Sequence, residues 1–480
     1  MKAKQYITTT LPYVNSDPHV GFAMEIVRAD AIARYYTLRG YDVFFNTGTD
    51  EHGIKIWEKA QESGEDIQTY VDRYAARFKG LIELLNLSSD IHFVRTTDTS
   101  HVTAAQEFWK RCSDNGYIYK KTYQAKYCIG CELEKTDSEL VHGHCPIHPH
   151  QELEFIDEEN YFFKFSQCEA FLKDFYTAHP DFVIPDFRFN EIKKFVEGGL
   201  QDFSISRLKT KMPWGIPVPG DDEHVMYVWF DALVNYISTL GWPENLTAFE
   251  TYWTEGEPVQ YAGKDNVRQQ AAMWQAMLYA AGLPNSQHIV INGFINSGGQ
   301  KMSKSLGNVI NPYDLVAEYG TDALRYYLLR HIHSFEDSDM TLEKFHEAYN
   351  ANLANGLGNL VQRIMKMVTS YGVDISDMNF EHEPVLSYHH KHIEEFDLNV
   401  IMEEIWRLIG DLDQFIAEHQ PFKKIKEDEQ GAHEDVHYLA GELSRLAISL
   451  YPYMPETAQK IQTCLTEAKM PDEPLFVRKD

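Results

Sequence analysis

The sequence predicts an α/β protein: a doubly wound parallel sheet, interrupted by a metal-binding insertion and followed by an all-α bundle. Three observations predict it. The N-terminal segment reads strand, loop, helix, strand; βα units resume near residue 225; and beyond about residue 344 the apolar spacing is helical throughout. At 480 residues the chain exceeds one ordinary core, so several domains are expected.

Tyr6-Ile7-Thr8-Thr9-Thr10 is a short, β-rich strand. Leu11 to Pro18 is crowded with turn residues, and His19-Val20-Gly21-Phe22 follows. From Ala23 to Arg39, Ile26, Ala29, Ile32, Ala33 and Tyr36 fall on one helical stripe, and Gly40 is a stop. Tyr41 to Asn46 is an apolar strand running into Thr47-Gly48-Thr49-Asp50-Glu51-His52-Gly53. A right-handed crossover of this kind places ligands at the carboxyl ends of the strands. The helix start beside His19 and Gly21 is an anion site, and a bare Gly21 lets a nucleotide approach the backbone. His19 can donate to a phosphate, or serve only as a turn histidine bonded to its own loop.

Residues 117–224 break the βα pattern. Within them Cys128-Ile129-Gly130-Cys131 and Cys145-Pro146-Ile147-His148 give the spacing C-x₂-C-x₁₃-C-x₂-H. Four such donors suit tetrahedral Zn²⁺ in a closed, structural site. His142, His144 and His150 lie close enough to leave the fourth ligand open. Cys112, Cys168 and Cys464 have no spacing partner and read as buried thiols.

Val225 to Asp231 reads as an apolar strand, Ala232 to Leu240 as a helix, Pro258 to Ala262 as a strand ending at Gly263-Lys264-Asp265, and Arg268 to Ala281 as a helix. After the strand Ile289-Val290-Ile291 comes a glycine-flanked loop, Gly298-Gly299-Gln300-Lys301-Met302-Ser303-Lys304-Ser305. Two lysines three apart in a loop that can swing suit a polyphosphate whose leaving group gains charge. The chain turns helical again from Pro312-Tyr313-Asp314-Leu315. Leu439, Leu443, Leu446 and Leu450 have bundle-core spacing, and Gly372 to Glu383 reads as the loop within the bundle.

Composition bounds the function. Hydrophobic residues make up 44% and aromatics 13%, enough for packed cores. A net charge of −28 argues against non-specific nucleic-acid binding through a global positive field, though Lys120-Lys121 and Lys423-Lys424 permit a local basic path. No apolar run of about 18 residues is present, so no membrane span is expected. The absence of a signal core, with six cysteines in a long chain, predicts a cytoplasmic, reducing location.

His-x-Gly near the start and Lys-Met-Ser-Lys-Ser far downstream, on the two halves of a split nucleotide fold, resemble the class I aminoacyl-tRNA synthetases. Leu11-Pro12-Tyr13-Val14-Asn15, Gly48 to Gly53, Asn160-Tyr161-Phe162-Phe163, Pro213 to Pro219 and Tyr227 to Leu233 narrow the resemblance to the methionyl-tRNA synthetase family, along nearly the whole chain. It implies a Rossmann-like catalytic domain in two halves, 1–116 and 225–300, a connective insertion with the zinc knuckle over 117–224, a lysine-loop and stem-contact region over 301–343, and an α-helical anticodon-binding domain over 344–480. It implies the activation of L-methionine by ATP, with Mg²⁺, to methionyl-adenylate, then transfer to tRNA(Met). Pro12, Tyr13, Asn15, Pro18, His19, Val20, Gly21 and Phe22 form the first signature region. Lys301, Met302, Ser303, Lys304 and Ser305 form the second. His19, Gly21, Lys301 and Lys304 are the catalytic candidates, with Gly263 and Asp265 beside the ATP ribose. Leu11, Tyr13, Asp50, Trp229, Ala232, Tyr236 and Gln270 surround the methionine. Asn359, Arg363 and Phe422 read the anticodon, where stacking and edge hydrogen bonds suit unpaired bases. A chain ending soon after the bundle predicts a monomer.

Three residues depart from the family pattern. Phe22 replaces the second signature histidine and cannot donate to a phosphate; Gln270 replaces a histidine at the methionine pocket; Leu233 replaces a common proline. These raise the alternative of a catalytically impaired relative that only binds RNA. A synthetase for leucine, isoleucine or valine is disfavoured, because the insertion is short and carries the knuckle.

Overall fold

Lys4–Thr8 (β1) is almost wholly buried between parallel neighbours: Ile7 stands opposite Phe45 on one side and Val259 on the other. A computed structural model of the chain describes residues 3–131, 133–135, 139–302, 307–376, 378 and 383–480. The remaining strands of the central sheet are Asp42–Thr49 (β2), His92–Arg95 (β3), Val183–Ile184 (β4), Glu257–Gly263 (β5) and His288–Asn292 (β6). All pair in parallel, in the order β3-β2-β1-β5-β6-β4. Strand order reverses between β1 and β5, so a ligand crevice opens at their carboxyl ends. The edge strand β4 comes from the interrupting segment itself.

Helix Val20–Leu38 (α1) crosses from β1 to β2. It starts three residues before the sequence pattern predicts, because His19 caps it. Its buried face joins one large core that continues into the C-terminal helices. A second core, holding Tyr6, Phe108 and Trp274, fills the opposite face of the sheet. The predicted α/β architecture with a helical C-terminal region is therefore present.

Two buried arginines lock these layers. The Arg28 guanidinium donates to Asn292 Oδ1 at 2.8 Å and to the carbonyls of Ile332, His333 and Ser334. Arg325 pairs with Asp30 at 2.8 Å and donates to the carbonyls of Tyr453, Leu85 and Pro452. Burial alone raises the Asp30 carboxyl, but Arg325 and Arg34 hold it below the usual range. The Arg325–Asp30 pair, hydrogen-bonded on both sides, is a form in which buried charges persist.

The insertion carries an antiparallel sheet in which Ile118–Cys128 pairs along its length with Glu154–Phe163. The C-terminal bundle comprises Asn359–Tyr371, Leu398–His419, Glu429–Leu450 and Pro455–Thr466. Leu439, Leu443, Leu446 and Leu450 are fully buried in it. Gly372, with φ +66°, ends the first of these helices. Of the predicted loop, residues 377 and 379–382 lie outside the described residues. Among the described residues, no helix is long and apolar enough to cross a membrane.

Candidate active site

His19 closes the amino end of α1. Its Nδ1 accepts the Gly21 amide at 3.0 Å. The turn-bonding role therefore holds, and it fixes the chemistry of the ring: Nδ1 is the acceptor, so Nε2 carries the proton. Burial, then the nearby Lys301 ammonium, lower its pKa to about 4. The imidazole is neutral at pH 7 and offers one N–H donor. Gly21 has a further role beside the nucleotide approach expected of it. A Cβ there would stand 2.8 Å from His19 Cε1, so the glycine is needed to admit the histidine ring.

A cavity of about 770 Å³ opens at the carboxyl ends of β1 and β5. Leu11, Tyr13, Asp50, Trp229, Ala232, Tyr236 and Gln270 all line it, together with Pro12, Asn15, His19, Phe22, Asp265 and Lys301. Segments distant in sequence thus meet around one space. Gly263 stands at the end of β5, one bend from Asp265, whose carboxyl burial pushes up. Pro18 and Val20 are buried supports of the turn, and the Val20 amide donates to Ile310 O at 3.1 Å. Met302 and His19 face a second, adjoining chamber. Ser303, Lys304 and Ser305 lie outside the described residues. The lysine loop does not follow directly on Ile289–Ile291: the strand Ile295–Ser297 intervenes and turns through Gly298 and Gly299 to pair with Gln300–Lys301.

The apolar run at 225–231 is corrected too. Its strand, Asp221–Met226, ends earlier than predicted, and Val228–Ala232 (here α2) is helical. Helical spacing puts Trp229 and Ala232 on one side, facing the cavity. The predicted helix from Arg268 begins with a π-turn, Gln269–Met273, before Trp274–Ala281. Such turns push side chains out of α register and recur at functional sites.

Asp50 is held from several directions. Its amide donates to Pro12 O at 2.9 Å, and the Val14 amide donates to Asp50 O at 3.2 Å. Its neighbour Glu51 takes a two-pronged contact from Arg95 at 2.6 and 2.8 Å. His52 lies 3.1 Å from the fully buried Asp231, tying this segment to α2.

Cys128, Cys131, Cys145 and His148 converge, with all four donor atoms within 4.8 Å of one another. The Cys131 and Cys145 sulfurs are 3.4 Å apart, far from a disulfide bond and close to the edge of a ligand tetrahedron. Three soft donors and an imidazole fit a metal ion, and His148 takes the fourth place left open among the histidines. Cys131 and His148 also line the cavity, and Lys55 Nζ donates to Gly130 O at 2.9 Å. Cys112, Cys168 and Cys464 are buried free thiols.

Sequence reasoning missed several lining residues. Arg188, Lys55 and the knuckle reach the cavity through tertiary contacts with no local signature. Lys264 bonds Asp337 at 2.6 Å and lies 4.5 Å from the Phe294 ring centroid. Asn235 and Gln269 were adjacent to named residues, and helix phase could have found them.

The comparisons agree with this geometry. The family model for class I tRNA synthetases (M) matches residues 5–154 and 148–365. A Thermotoga maritima methionine–tRNA ligase is 39% identical over 95% of this chain and 74% of its own length. One from Thermosynechococcus vestitus is 40% identical over 95% and 88%. The chain belongs to the methionyl-tRNA synthetase family. Within that family, the Mycobacterium tuberculosis methionyl-tRNA synthetase in complex with methionyl-adenylate superposes with a TM-score of 0.90, at 34% identity and full coverage of both chains. The free form of that synthetase gives 0.83 at 30% identity, covering 100% and 99%.

In the bundle, Asn359 is exposed on the helix that also carries Arg363, and Phe422 is 46% exposed on a short helix after Leu398–His419. Arg363 donates to Asp413 Oδ1 at 2.7 Å.

Proposed function

We propose that the chain activates L-methionine with ATP to methionyl-adenylate and transfers the methionyl group to tRNA(Met). The observation that carries this is the shared cavity: seven predicted amino-acid contacts, His19 and Lys301 line one space. Asp50 pairs with the substrate α-ammonium, while Trp229, Ala232, Tyr236, Leu11 and Tyr13 enclose the thioether and Gln270 closes its end. The substrate carboxylate oxygen attacks the α-phosphorus in line, and the bond to the bridging oxygen breaks to release diphosphate. His19 Nε2–H and the amides of α1 stabilise phosphate charge. Lys301 and Lys304 meet the charge growing on the leaving group. No residue serves as a nucleophile; positioning and preorganised charge supply the rate. A hydroxyl of the tRNA's terminal ribose then attacks the acyl carbon, and AMP departs.

Cys128, Cys131, Cys145 and His148 would hold a structural Zn²⁺, which would cross-link the knuckle beside the cavity. Mg²⁺ arriving with ATP neutralises polyphosphate charge. Gly263 and Asp265 face the ribose, and Asn359, Arg363 and Phe422 contact the anticodon. The protein acts in the cytoplasm. Methionine-dependent ATP–pyrophosphate exchange tests the first step and charging of tRNA(Met) the second. No exchange by folded, zinc-loaded protein would return the case to a pure RNA binder.

A further inference from the structure

The hairpin that carries Lys301 is clasped from far downstream in the chain. Its strands are Ile295–Ser297 and Gln300–Lys301, joined by Gly298 and Gly299. Both glycines are left-handed, with φ +64° and +74°, as a two-residue turn of type I′ requires. On its other edge, Ile295–Ser297 pairs in parallel with Ser338–Asp339, with Asn296 opposite Asp339. The Ser338 amide donates to Phe294 O and the Met340 amide to Asn296 O, both at 2.9 Å. The Asp339 side chain then reaches the turn itself. Its Oδ1 accepts the Gly299 amide at 2.7 Å, and its Oδ2 accepts Lys344 Nζ at 2.8 Å. The Gly299 amide, the Lys344 ammonium and the Gly298 amide hold this carboxyl below the usual range. Successive backbone amides in a turn form a nest for an anion. Here the anion is internal.

The clasp matters for what the turn carries. Lys301 follows Gly299 by two residues, stands across from Asn296 and lines the cavity with His19. Its ammonium is 5.3 Å from the Phe294 ring centroid and close enough to His19 to lower that pKa. Asn308 Nδ2 donates to Ser297 O and Lys301 O, each at 3.3 Å, and ties the two strands together. The clasping segment is itself anchored. Asp337 Oδ1 accepts the Phe294 amide at 3.0 Å, and Arg28 grips the carbonyls of Ile332, His333 and Ser334. A two-stranded hairpin is marginal in water by itself, so its pose depends on such contacts. We propose that Asp339 is a positioning residue for the adenylation step: its carboxylate fills the glycine nest and thereby fixes Lys301 at the cavity. Asp339 does not line the cavity and acts only through the turn.

The inference rests on the reading of Lys301 as a cation that meets the leaving group. The test compares full-length, zinc-loaded wild type with Asp339→Ala, Asp339→Asn, Lys301→Ala and the double alanine variant. In pyrophosphate exchange, Asp339→Ala should lower kcat by about tenfold to a hundredfold, the scale of a group displaced by an ångström, with the KM for methionine within about twofold. Asp339→Asn keeps an acceptor for the Gly299 amide and should recover most of that loss. On the Lys301→Ala background, Asp339→Ala should cost less than about twofold more, because its whole effect passes through the lysine. General loss of structure would multiply instead. Hydrogen exchange of residues 298–301, read by mass spectrometry, should quicken about tenfold in Asp339→Ala, the weight of one hydrogen bond to a charged group. The proposal is overturned if the two alanine effects multiply, if Asp339→Ala leaves kcat within about twofold of wild type, if asparagine falls as far as alanine, or if the KM for methionine rises as far as kcat falls. If wild type exchanges no pyrophosphate, the catalytic reading fails and hydrogen exchange alone decides the clasp: quickened exchange leaves it standing, and unchanged exchange overturns it.

Discussion

Replacing His19 by asparagine separates its two roles. The ring caps α1 through Nδ1 and presents Nε2–H to the cavity. Asparagine is among the best N-caps, so its side-chain oxygen can still accept the Gly21 amide. The donor is lost. Removing one preorganised donor to a charge that develops in the transition state costs roughly 10²–10³ in rate. His19→Asn should therefore melt within a few degrees of wild type at pH 7 and yet lose about that factor in pyrophosphate exchange. pH adds an independent check. The folded-state pKa of about 4 lies below the unfolded value near 6.5. A histidine kept neutral stabilises fully above pH 6.5, and that stability is lost as pH falls towards 4, because the unfolded chain takes up the proton first. The span corresponds to at most about 3 kcal/mol. Denaturant unfolding at pH 7 and pH 4.5 should show wild type losing stability relative to His19→Asn by a part of that amount. An exchange rate within fivefold of wild type, or a wild type that holds or gains stability relative to His19→Asn on acidification, would refute the assignment.

Other outcomes follow from the same geometry. Cys145→Ser should release the bound zinc, read by metal analysis at one equivalent per wild-type chain, and weaken methionine binding, because Cys131 and His148 form part of the cavity wall. Lys304→Ala should depress adenylate formation far more than methionine affinity; equal losses in both would contradict a transition-state role. Arg325→Met should cost about 3 kcal/mol in denaturant unfolding, since it strips a buried partner from Asp30 and orphans three carbonyls. Phe422→Ala should raise the KM for tRNA by roughly tenfold, the scale of one stacked base, with pyrophosphate exchange untouched; Arg363→Ala should act in the same direction.

Much of this fold was legible because its signals are local. The strand–loop–helix–strand start, the helical stripe beginning at Ile26 and the metal spacing each need only a short window. The errors have physical reasons. Val225–Phe230 is apolar throughout because five of its six residues are buried and Trp229 lines the cavity, and a continuous apolar run carries no period to tell strand from helix. Trp229 is consequently helical. The helix at Val20 starts early because a histidine, not a usual capping residue, accepts the Gly21 amide. The lining residues that escaped notice arrive over long range. Arg188 sits on the helix Asp186–Glu197 and the knuckle in an insertion, and no pattern in either segment points to the crevice. Leu11, Tyr13, Asp50, Trp229, Ala232, Tyr236 and Gln270 were legible only through the family resemblance, and the structure brings all seven to one cavity.

The replacement of the second signature histidine by Phe22 looks, in sequence, like a simple loss of a phosphate donor. The structure gives the phenyl ring another part. It stacks on His19 with centroids 4.3 Å apart and planes 26° from parallel, and its other side meets the edge of Phe78 at 5.5 Å. His19 is thereby fixed by a hydrogen bond at Nδ1 and by an aromatic face. A ring so held loses little entropy when it meets a phosphate, which is how preorganisation converts into rate. Lys55, Arg188, Lys264 and Lys301 line the same cavity together with Asp50, Glu191 and Asp265, and Lys264 and Arg188 are paired with Asp337 and Glu191. Lys301 stands close enough to lower the His19 pKa, so a cation adjoins the donor that remains. Phe22 thus trades a second hydrogen bond for a better-aimed first one.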